Sequence, residues 1–134
     1  MTRSRKTVLD ILITANEPVS AADIKNSCKI TFDPATIYRA LHYLEQEGYA
    51  ESFVLHCREH GTERYYTAIN TEEEHTHRHW FHCEQCHCFI DVGSCVICET
   101  LQGYEKTHNL EIRSHILYLT GICPACKNNA LQSK

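Results

Sequence analysis

The sequence predicts an α+β protein in two parts: an N-terminal winged helix-turn-helix, followed by a small α/β dimerisation domain with a four-cysteine zinc site. Three observations predict it. Three short amphipathic helical patterns come first, two β-prone runs follow them, and two C-x-x-C pairs lie in the second half of the chain. The predicted boundaries are residues 1–70 for the first domain, 71–74 for an acidic hinge and 75–134 for the second domain.

The first two helices are predicted from apolar spacing and from a capping pattern. Residues 4–15 carry one apolar stripe at helical spacing, made of Val8, Ile11, Leu12 and Ala15. Ser20 and Asp23 then form the serine and acid of a capping box, which opens a short second helix that continues through Ile24.

A third helix is predicted from Asp33 as N-cap and Pro34 at the first helical position, and it ends at Gly48. Its buried stripe is Ile37, Ala40, Leu41 and Leu44. The residues left facing outward combine hydroxyls, aromatic rings and a guanidinium, namely Thr36, Tyr38, Arg39, His42 and Tyr43. Such a face is suited to a DNA groove, although an ordinary solvated helix surface is the alternative.

Two short β-prone runs, residues 49–55 and 64–69, follow the helices and are joined by residues 56–61. This is the order in which a winged helix adds its hairpin. The hairpin therefore favours the DNA-binding interpretation of the third helix.

Residues 75–88 concentrate metal-ligand side chains, with five of the ten histidines and three of the nine cysteines. Cys83 and Cys86 form one C-x-x-C pair, and Cys123 and Cys126 form another near the C-terminus. Two thiolates at this spacing can close on one ion, so the two pairs together predict a tetrahedral structural zinc site. Disulfides or unrelated buried thiols are the alternatives.

The rest of the second half predicts a strand over residues 89–92, a break at Gly93 and Ser94, and an amphipathic helix. The apolar side of that helix is Val96, Ile97, Leu101, Tyr104 and His108. Residues 110–122 alternate well enough for a long strand that is apolar on both sides. Such a strand in so small a domain needs a partner, so we expect a homodimer.

Composition restricts the class of protein further. The net charge is −4, and residues 1–47 hold six basic and six acidic side chains, so the deficit lies in residues 48–134 and the first part is the better anion binder. No membrane span and no apolar signal-peptide core are present in the sequence, so we expect a cytoplasmic protein. In that reducing compartment nine cysteines indicate metal binding or redox sensing rather than a disulfide framework.

The order of these parts resembles the ferric uptake regulator (Fur) family. The resemblance rests on the segment Ala35-Thr36-Ile37-Tyr38-Arg39, the wing, the histidine-rich C-x-x-C stretch, and His108 and His115 ahead of the last C-x-x-C. It implies a metal-responsive repressor, not an enzyme, that binds a palindromic DNA operator as a dimer. It also implies that Tyr38 and Arg39 contact DNA, together with Arg5 ahead of the first helix.

The chain departs from the family pattern at the usual hinge sensing site. The positions of its ligands correspond here to Pro18, Tyr66, Arg78, Trp80 and Asp91, of which only Asp91 can ligate. A second family site, usually built from His, Asp, Glu and His, corresponds to His77, His79, Cys98 and His115. Histidine and cysteine are softer ligands than carboxylates, so this set favours zinc over iron or manganese as the regulatory divalent metal, although it would also hold cobalt, nickel or copper.

Three alternatives stay open from the sequence. In the first, His77 and His79 are solvated hinge residues and Cys98 is a core thiol. In another, Cys95 and Cys98, a third C-x-x-C at the start of a helix, sense peroxide or thiol redox state, or the chain responds to iron. The last alternative is of a different class, a thiol oxidoreductase or a metal-storage protein.

Overall fold

The computed structural model describes residues 1–27, 32–69 and 78–132, and the chain divides into two compact units, residues 1–73 and 74–134. The predicted hinge, residues 71–74, lies outside the described residues. The two units are therefore described separately.

The first unit contains three helices, each begun by a side-chain cap. The helices are α1 (Arg3–Thr14), α2 (Ala21–Ser27) and α3 (Pro34–Gln46). The capping box predicted for α2 is confirmed, because the Asp23 N–H donates to Ser20 Oγ at 3.1 Å and the Ser20 N–H donates to Asp23 Oδ2 at 3.0 Å. Asp33 caps α3 in the same way, accepting from the Thr36 N–H at 2.8 Å.

The wing is a two-stranded hairpin extended by a short third strand. Strands β1 (Val19–Ser20), β2 (Ala50–Cys57) and β3 (Gly61–Ala68) form an antiparallel sheet in the order β1-β3-β2. The hairpin is longer than the predicted runs, since the pairing continues from Ala50 opposite Ala68 to Cys57 opposite Gly61. Gly61 turns the chain with a φ of +75°, a conformation that favours glycine.

The core of the first unit lies between the helices and the sheet, as the apolar stripes predict. All four predicted α3 residues are buried, namely Ile37, Ala40, Leu41 and Leu44. They pack with Val8 and Leu12 of α1 and Ile24 of α2. Burying one such large side chain contributes about 1.5–3 kcal/mol, so this cluster holds the three helices in place.

The second unit is a mixed three-stranded sheet with two helices. Its elements are β4 (Arg78–Cys83), β5 (Phe89–Ser94), α4 (Cys98–His108), β6 (Tyr118–Gly121) and α5 (Pro124–Gln132). The strand order is β5-β4-β6, with β4 antiparallel to β5 and parallel to β6. The central strand β4 is the most buried of the three.

The structure corrects two predictions for this unit. The long strand over residues 110–122 is wrong, because only Tyr118–Gly121 is a strand and it pairs only with the last four residues of β4. The predicted break at Gly93 and Ser94 is also wrong, because both residues belong to β5. Alternating apolar residues make a strand only where a neighbouring strand supplies hydrogen bonds, and within the described residues no strand pairs with residues 110–117.

The apolar side predicted for α4 is present in the sequence but not covered. None of the α4 residues is buried, and Tyr104 is 52% exposed. Across the described residues, no helix is both long and apolar enough to cross a bilayer.

Core packing of the first unit can be tested with two isoleucines that differ in burial. Ile24 is fully buried, whereas Ile13 on α1 is 60% exposed. We expect Ile24→Ala to lower the free energy of unfolding by about 2–5 kcal/mol, because it leaves a cavity in the core. The matched variant Ile13→Ala should change it by about 0.5 kcal/mol or less. Urea denaturation followed by circular dichroism measures both, and equal losses would contradict the described packing.

Candidate metal centres

Parallel pairing of β4 and β6 brings the two C-x-x-C pairs to the same edge of the sheet. Cys83 is the last residue of β4 and pairs with Gly121, the last residue of β6. Cys123 follows two residues later and leads into α5. The Glu84 N–H, between Cys83 and Cys86, donates to the Gly121 carbonyl at 2.8 Å and so holds the first C-x-x-C pair against β6.

The four cysteine sulfurs form a group with the dimensions of a tetrahedral site. The Sγ atoms of Cys83 and Cys126 are 3.8 Å apart, those of Cys86 and Cys123 are 3.7 Å apart, and all four lie within 4.8 Å of one another. Zinc–sulfur bonds of about 2.3 Å at tetrahedral angles require sulfurs about 3.8 Å apart. The four residues therefore fit a zinc ion.

Backbone N–H groups stabilise the thiolate form of two of the four sulfurs, Cys83 and Cys123. The Cys86 and Cys123 N–H groups donate to Cys83 Sγ at 3.5 and 3.4 Å, and the Cys126 N–H donates to Cys123 Sγ at 3.5 Å. Burial acts to raise the pKa of the Cys83 thiol, but these N–H donors outweigh it and lower that pKa to about 6. The Cys126 N–H donor likewise lowers the pKa of Cys123.

Two further thiols keep their protons beside these sulfurs. A hydrogen bond to Cys123 raises the pKa of Cys126 to about 12, and a hydrogen bond to Cys86 raises the pKa of Cys88 to about 12. Adjacent thiolates repel one another unless a cation is present, so metal binding here releases protons. Cys88 is a fifth thiol next to the four, and it lies outside both C-x-x-C pairs.

A second group of metal-ligand atoms lies at the other end of β4. It consists of His79 on β4, Cys95 just after β5, and His115 ahead of β6. His115 Nε2 is 3.3 Å from His79 Nε2 and 3.4 Å from Cys95 Sγ. Tetrahedral zinc with nitrogen ligands at 2.0–2.1 Å and a thiolate at 2.3 Å requires separations of about 3.3–3.6 Å. This group also fits a zinc ion.

The backbone orients one ligand of this second group. His79 is buried, and its Nδ1 lies 2.9 Å from the Leu117 carbonyl oxygen. A carbonyl only accepts, so Nδ1 carries the proton and donates it, and Nε2 is left with its lone pair facing the group. This is the carbonyl–histidine arrangement that fixes the tautomer of metal-binding histidines.

The group overlaps the predicted regulatory site without matching it. The structure brings together the predicted His79 and His115, and it supplies Cys95 where the prediction has Cys98. Cys98 is the first residue of α4 and is exposed, and a hydrogen bond to Cys95 raises its pKa. His77 lies outside the described residues.

The hinge-site positions named in the sequence analysis hold no cluster of ligands in the described residues. Pro18, Tyr66 and Trp80 are buried, and none of them offers a strong metal ligand. Asp91 can ligate, but its Oδ2 is 2.8 Å from Arg78 Nη1. The Asp91 carboxylate is therefore already paired with the Arg78 guanidinium.

Three of the predicted DNA contacts, Arg5, Thr36 and Arg39, lie along one row of the first unit. Thr36, Arg39 and Tyr43 follow one another at helical spacing along α3, and Arg39 Nη2 donates to Thr36 Oγ1 at 3.4 Å. The Arg5 guanidinium of α1 lies 3.7 Å over the Tyr43 ring, a cation–π contact that places it at the end of this row. Tyr38 is 55% exposed, so its ring and hydroxyl are accessible.

Comparison with known proteins identifies the family. The sequence profile of the ferric uptake regulator family matches residues 1–120. The chain belongs to the Fur family. It is 31% identical to the Ferric uptake regulation protein of Staphylococcus epidermidis over 134 residues, which cover 96% of this chain and 88% of that protein.

Solved Fur-family structures share the fold. The Helicobacter pylori ferric uptake regulator superposes with a TM-score of 0.69 at 21% identity, covering 95% of this chain and 81% of that one. A zinc uptake regulator in complex with zinc and DNA superposes with a TM-score of 0.68 at 19% identity, covering 97% and 85%. The predicted fold class is confirmed by these similarities.

Fur-family membership decides between the classes of function left open by the sequence. Members are metal-dependent transcriptional regulators and not enzymes, so the prediction of a metal-responsive transcriptional regulator is confirmed, and the oxidoreductase and storage alternatives are not supported. Family membership alone does not identify the metal that this chain senses.

The four-cysteine group can be tested by removing one sulfur. We expect Cys86→Ser to lower the zinc content by one ion per chain and to make the second unit sensitive to protease, because a closed thiolate site contributes folding free energy directly. Plasma emission spectrometry and limited proteolysis measure the two effects. Cys57→Ser, in β2 of the first unit, is the matched control and should keep all its zinc. A Cys86→Ser protein with full zinc content would contradict the assignment.

Proposed function

We propose that this Fur-family chain is a zinc-responsive transcriptional repressor that binds a palindromic DNA operator as a homodimer in the cytoplasm. The observation that carries the proposal is the group of His79, Cys95 and His115, whose two nitrogens and one sulfur converge at tetrahedral spacing. Nitrogen and sulfur donors favour zinc, whereas carboxylate oxygens favour harder ions such as manganese.

Two zinc ions with different roles are proposed. Cys83, Cys86, Cys123 and Cys126 hold the structural ion, because a closed set of four thiolates leaves no position for exchange. His79, Cys95 and His115 hold the regulatory ion, with His77 as the predicted fourth ligand from the sequence.

Iron sensing at the hinge is disfavoured by an ion pair. A metal at Asp91 would have to displace Arg78, which is 2.8 Å from the carboxylate and partly exposed. The zinc uptake regulator solved with zinc and DNA, which has the same fold, supports zinc as the ligand class. The Helicobacter pylori regulator is described as having three functional metal sites, so several sites on one fold are compatible with this proposal.

The row on α3 is the proposed DNA-reading surface. Arg39 and Tyr38 are exposed on α3 and suited to base edges and phosphates in a major groove, with Thr36 beside them as a hydroxyl donor. Arg5 lies at the end of the row, held by Tyr43, where a guanidinium can contact a phosphate. The acidic net charge argues for this local contact over indiscriminate binding.

Homodimerisation is proposed through the apolar residues that the second unit leaves exposed. Ile116 is 77% exposed, and Val92, Tyr104, Leu110 and Leu119 are each more than 40% exposed. A solvated monomer of this size rarely exposes so many apolar side chains in one unit. In the proposed homodimer a second copy of the chain covers these side chains. The two-fold symmetry of such a dimer matches that of a palindromic operator.

Zinc would act by favouring one arrangement of the dimer. Moving a population from mostly inactive to mostly active requires the ion to prefer the active state by about 5.5 kcal/mol. Structural zinc sites contribute more than this, so a site of two histidines and a cysteine has enough energy available. The test is operator binding by the purified protein, titrated with zinc, iron(II) and manganese(II) after mild chelation. Selective activation by zinc is expected, and activation by iron alone would overturn the zinc assignment.

The DNA contacts predict two different losses. Arg39→Ala should weaken operator binding by about 1–3 kcal/mol and relax sequence preference, because a base-edge contact is lost. Arg5→Ala should weaken operator and random duplexes alike and reduce the salt dependence, because a phosphate contact is lost. Fluorescence anisotropy at several salt concentrations measures both, and zinc content should not change. An equal loss on both DNAs for Arg39→Ala would reassign it to a phosphate contact.

The regulatory ligands predict a loss of metal response with retained folding. His79→Ala and His115→Ala should each abolish zinc-dependent operator binding and remove one zinc per chain, because each variant lacks one ligand of the regulatory site. His56→Ala on the wing hairpin is the matched control and should respond to zinc as the wild type does. Zinc titrations monitored by anisotropy and by metal content give the comparison. Normal zinc response in both ligand variants would exclude this site as the sensor.

A further inference from the structure

The Cys95 sulfur takes part in two contacts with different chemistry. One contact is with the His79 and His115 nitrogens, which form the proposed regulatory metal site. The other pairs it with the Cys98 thiol, three residues later in the same C-x-x-C motif. We propose that metal and a disulfide compete for the Cys95 sulfur: a hydroperoxide joins Cys95 to Cys98 when the site is empty of metal, and bound zinc prevents it. The inference rests on the proposed function, because it assigns a second, oxidant-dependent input to the same site.

The two thiols stand three residues apart at the start of a helix. Cys95 follows β5, and Cys98 is the first residue of α4. The C-x-x-C spacing therefore places them about one helical turn apart, and a hydrogen bond to Cys95 raises the pKa of Cys98. A disulfide needs β-carbons about 3.5–4.5 Å apart, and C-x-x-C pairs at the start of a helix commonly meet this requirement.

The turn between the thiols is open to solvent. Cys98 is exposed, and Val96 within the turn is 84% exposed. A small oxidant can therefore reach the pair, and the turn can make the small shift needed for a sulfur–sulfur bond without disturbing a packed core. Cys57, in contrast, belongs to the other unit and is not part of a C-x-x-C motif in the sequence.

Metal and disulfide exclude one another because both use the same sulfur lone pair. A metal ligand must be a thiolate, and a disulfide sulfur has lost that character. The His115 Nε2 atom lies 3.4 Å from Cys95 Sγ, so it remains next to the sulfur in either state. Oxidation thus removes one of three ligands and weakens metal binding, whereas metal binding removes the nucleophile.

The chemistry balances with a hydroperoxide as the only co-reactant. The Cys95 sulfur attacks the peroxide, the O–O bond breaks, and Cys95 becomes a sulfenic acid while one molecule of water or alcohol leaves. The Cys98 sulfur then attacks that sulfenic sulfur and the S–O bond breaks. The leaving hydroxide takes up the Cys98 proton and departs as a second water. Two electrons pass from the two sulfurs to the peroxide. A thiol reductant reverses the step.

The test compares oxidation of one protein in two metal states. Chain that retains its structural zinc is treated with hydrogen peroxide after mild chelation, or after addition of zinc to ten times the Kd of the regulatory site. Peptide mapping by mass spectrometry measures the Cys95–Cys98 disulfide. We expect zinc to slow its formation by about tenfold, because only the metal-free fraction reacts. Equal rates in the two states would overturn the competition.

Two variants separate the roles of the two sulfurs. Cys98→Ser should keep the second zinc and the zinc-dependent operator binding, and should lose the disulfide and the oxidant response. Cys95→Ser should lose both. Cys57→Ser is the control and should behave as the wild type. Loss of the second zinc in Cys98→Ser would make Cys98 itself a ligand, as the sequence prediction had it, and would overturn the division of roles.

The outcomes also distinguish this inference from the proposed function. A wild-type chain that binds two zinc ions but forms no Cys95–Cys98 disulfide keeps the proposed function and overturns this inference. A chain that never binds a second zinc overturns both, since no metal then competes for Cys95. A reducible disulfide that forms only without zinc, together with restored zinc response after reduction, supports both.

Discussion

The second unit depends on one constraint, the parallel pairing of β4 with β6. Parallel strands run in the same direction, so the residues that follow them meet at one edge, and here those residues are the two C-x-x-C pairs. The same pairing places His115, ahead of β6, next to His79 on β4, with the Leu117 carbonyl oxygen in reach of the His79 ring. The four-cysteine site and the two histidines of the second site therefore follow from the register of a single strand pair.

The unit needs this arrangement because it has little apolar core of its own. Its described buried residues are mainly on β4 and among the cysteines, while no residue of α4 is buried and several large apolar side chains face solvent. A domain of this size seldom folds on apolar burial alone, and a structural metal supplies the missing free energy. The N–H donors around Cys83 and Cys123 serve the same end, because they stabilise thiolates before any cation arrives.

The first unit is organised by a different principle and could be predicted in more detail. Its helix starts are local, since Ser20 with Asp23 and Asp33 with Thr36 satisfy N–H groups three residues away. Its core follows from apolar residues at helical spacing, and all four predicted α3 residues are buried. The contact between Arg5 and Tyr43 was not predictable, because it joins two helices whose packing angle no local pattern contains.

The sequence by itself determined the helices of the first unit, the wing, the order of the parts and the pairing of the C-x-x-C motifs, because caps, periodicity and ligand spacing act over a few residues, whereas α5 carried no signal in the sequence. Tertiary structure decided which ligands meet. Cys95 and Cys98 are indistinguishable as metal ligands in the sequence, and only the position of β5 beside β4 places Cys95 at the histidines and leaves Cys98 exposed on α4. The strand predicted over residues 110–122 shortened to Tyr118–Gly121 for the same reason, since strand length is set by the neighbour that provides hydrogen bonds and not by alternation within the strand.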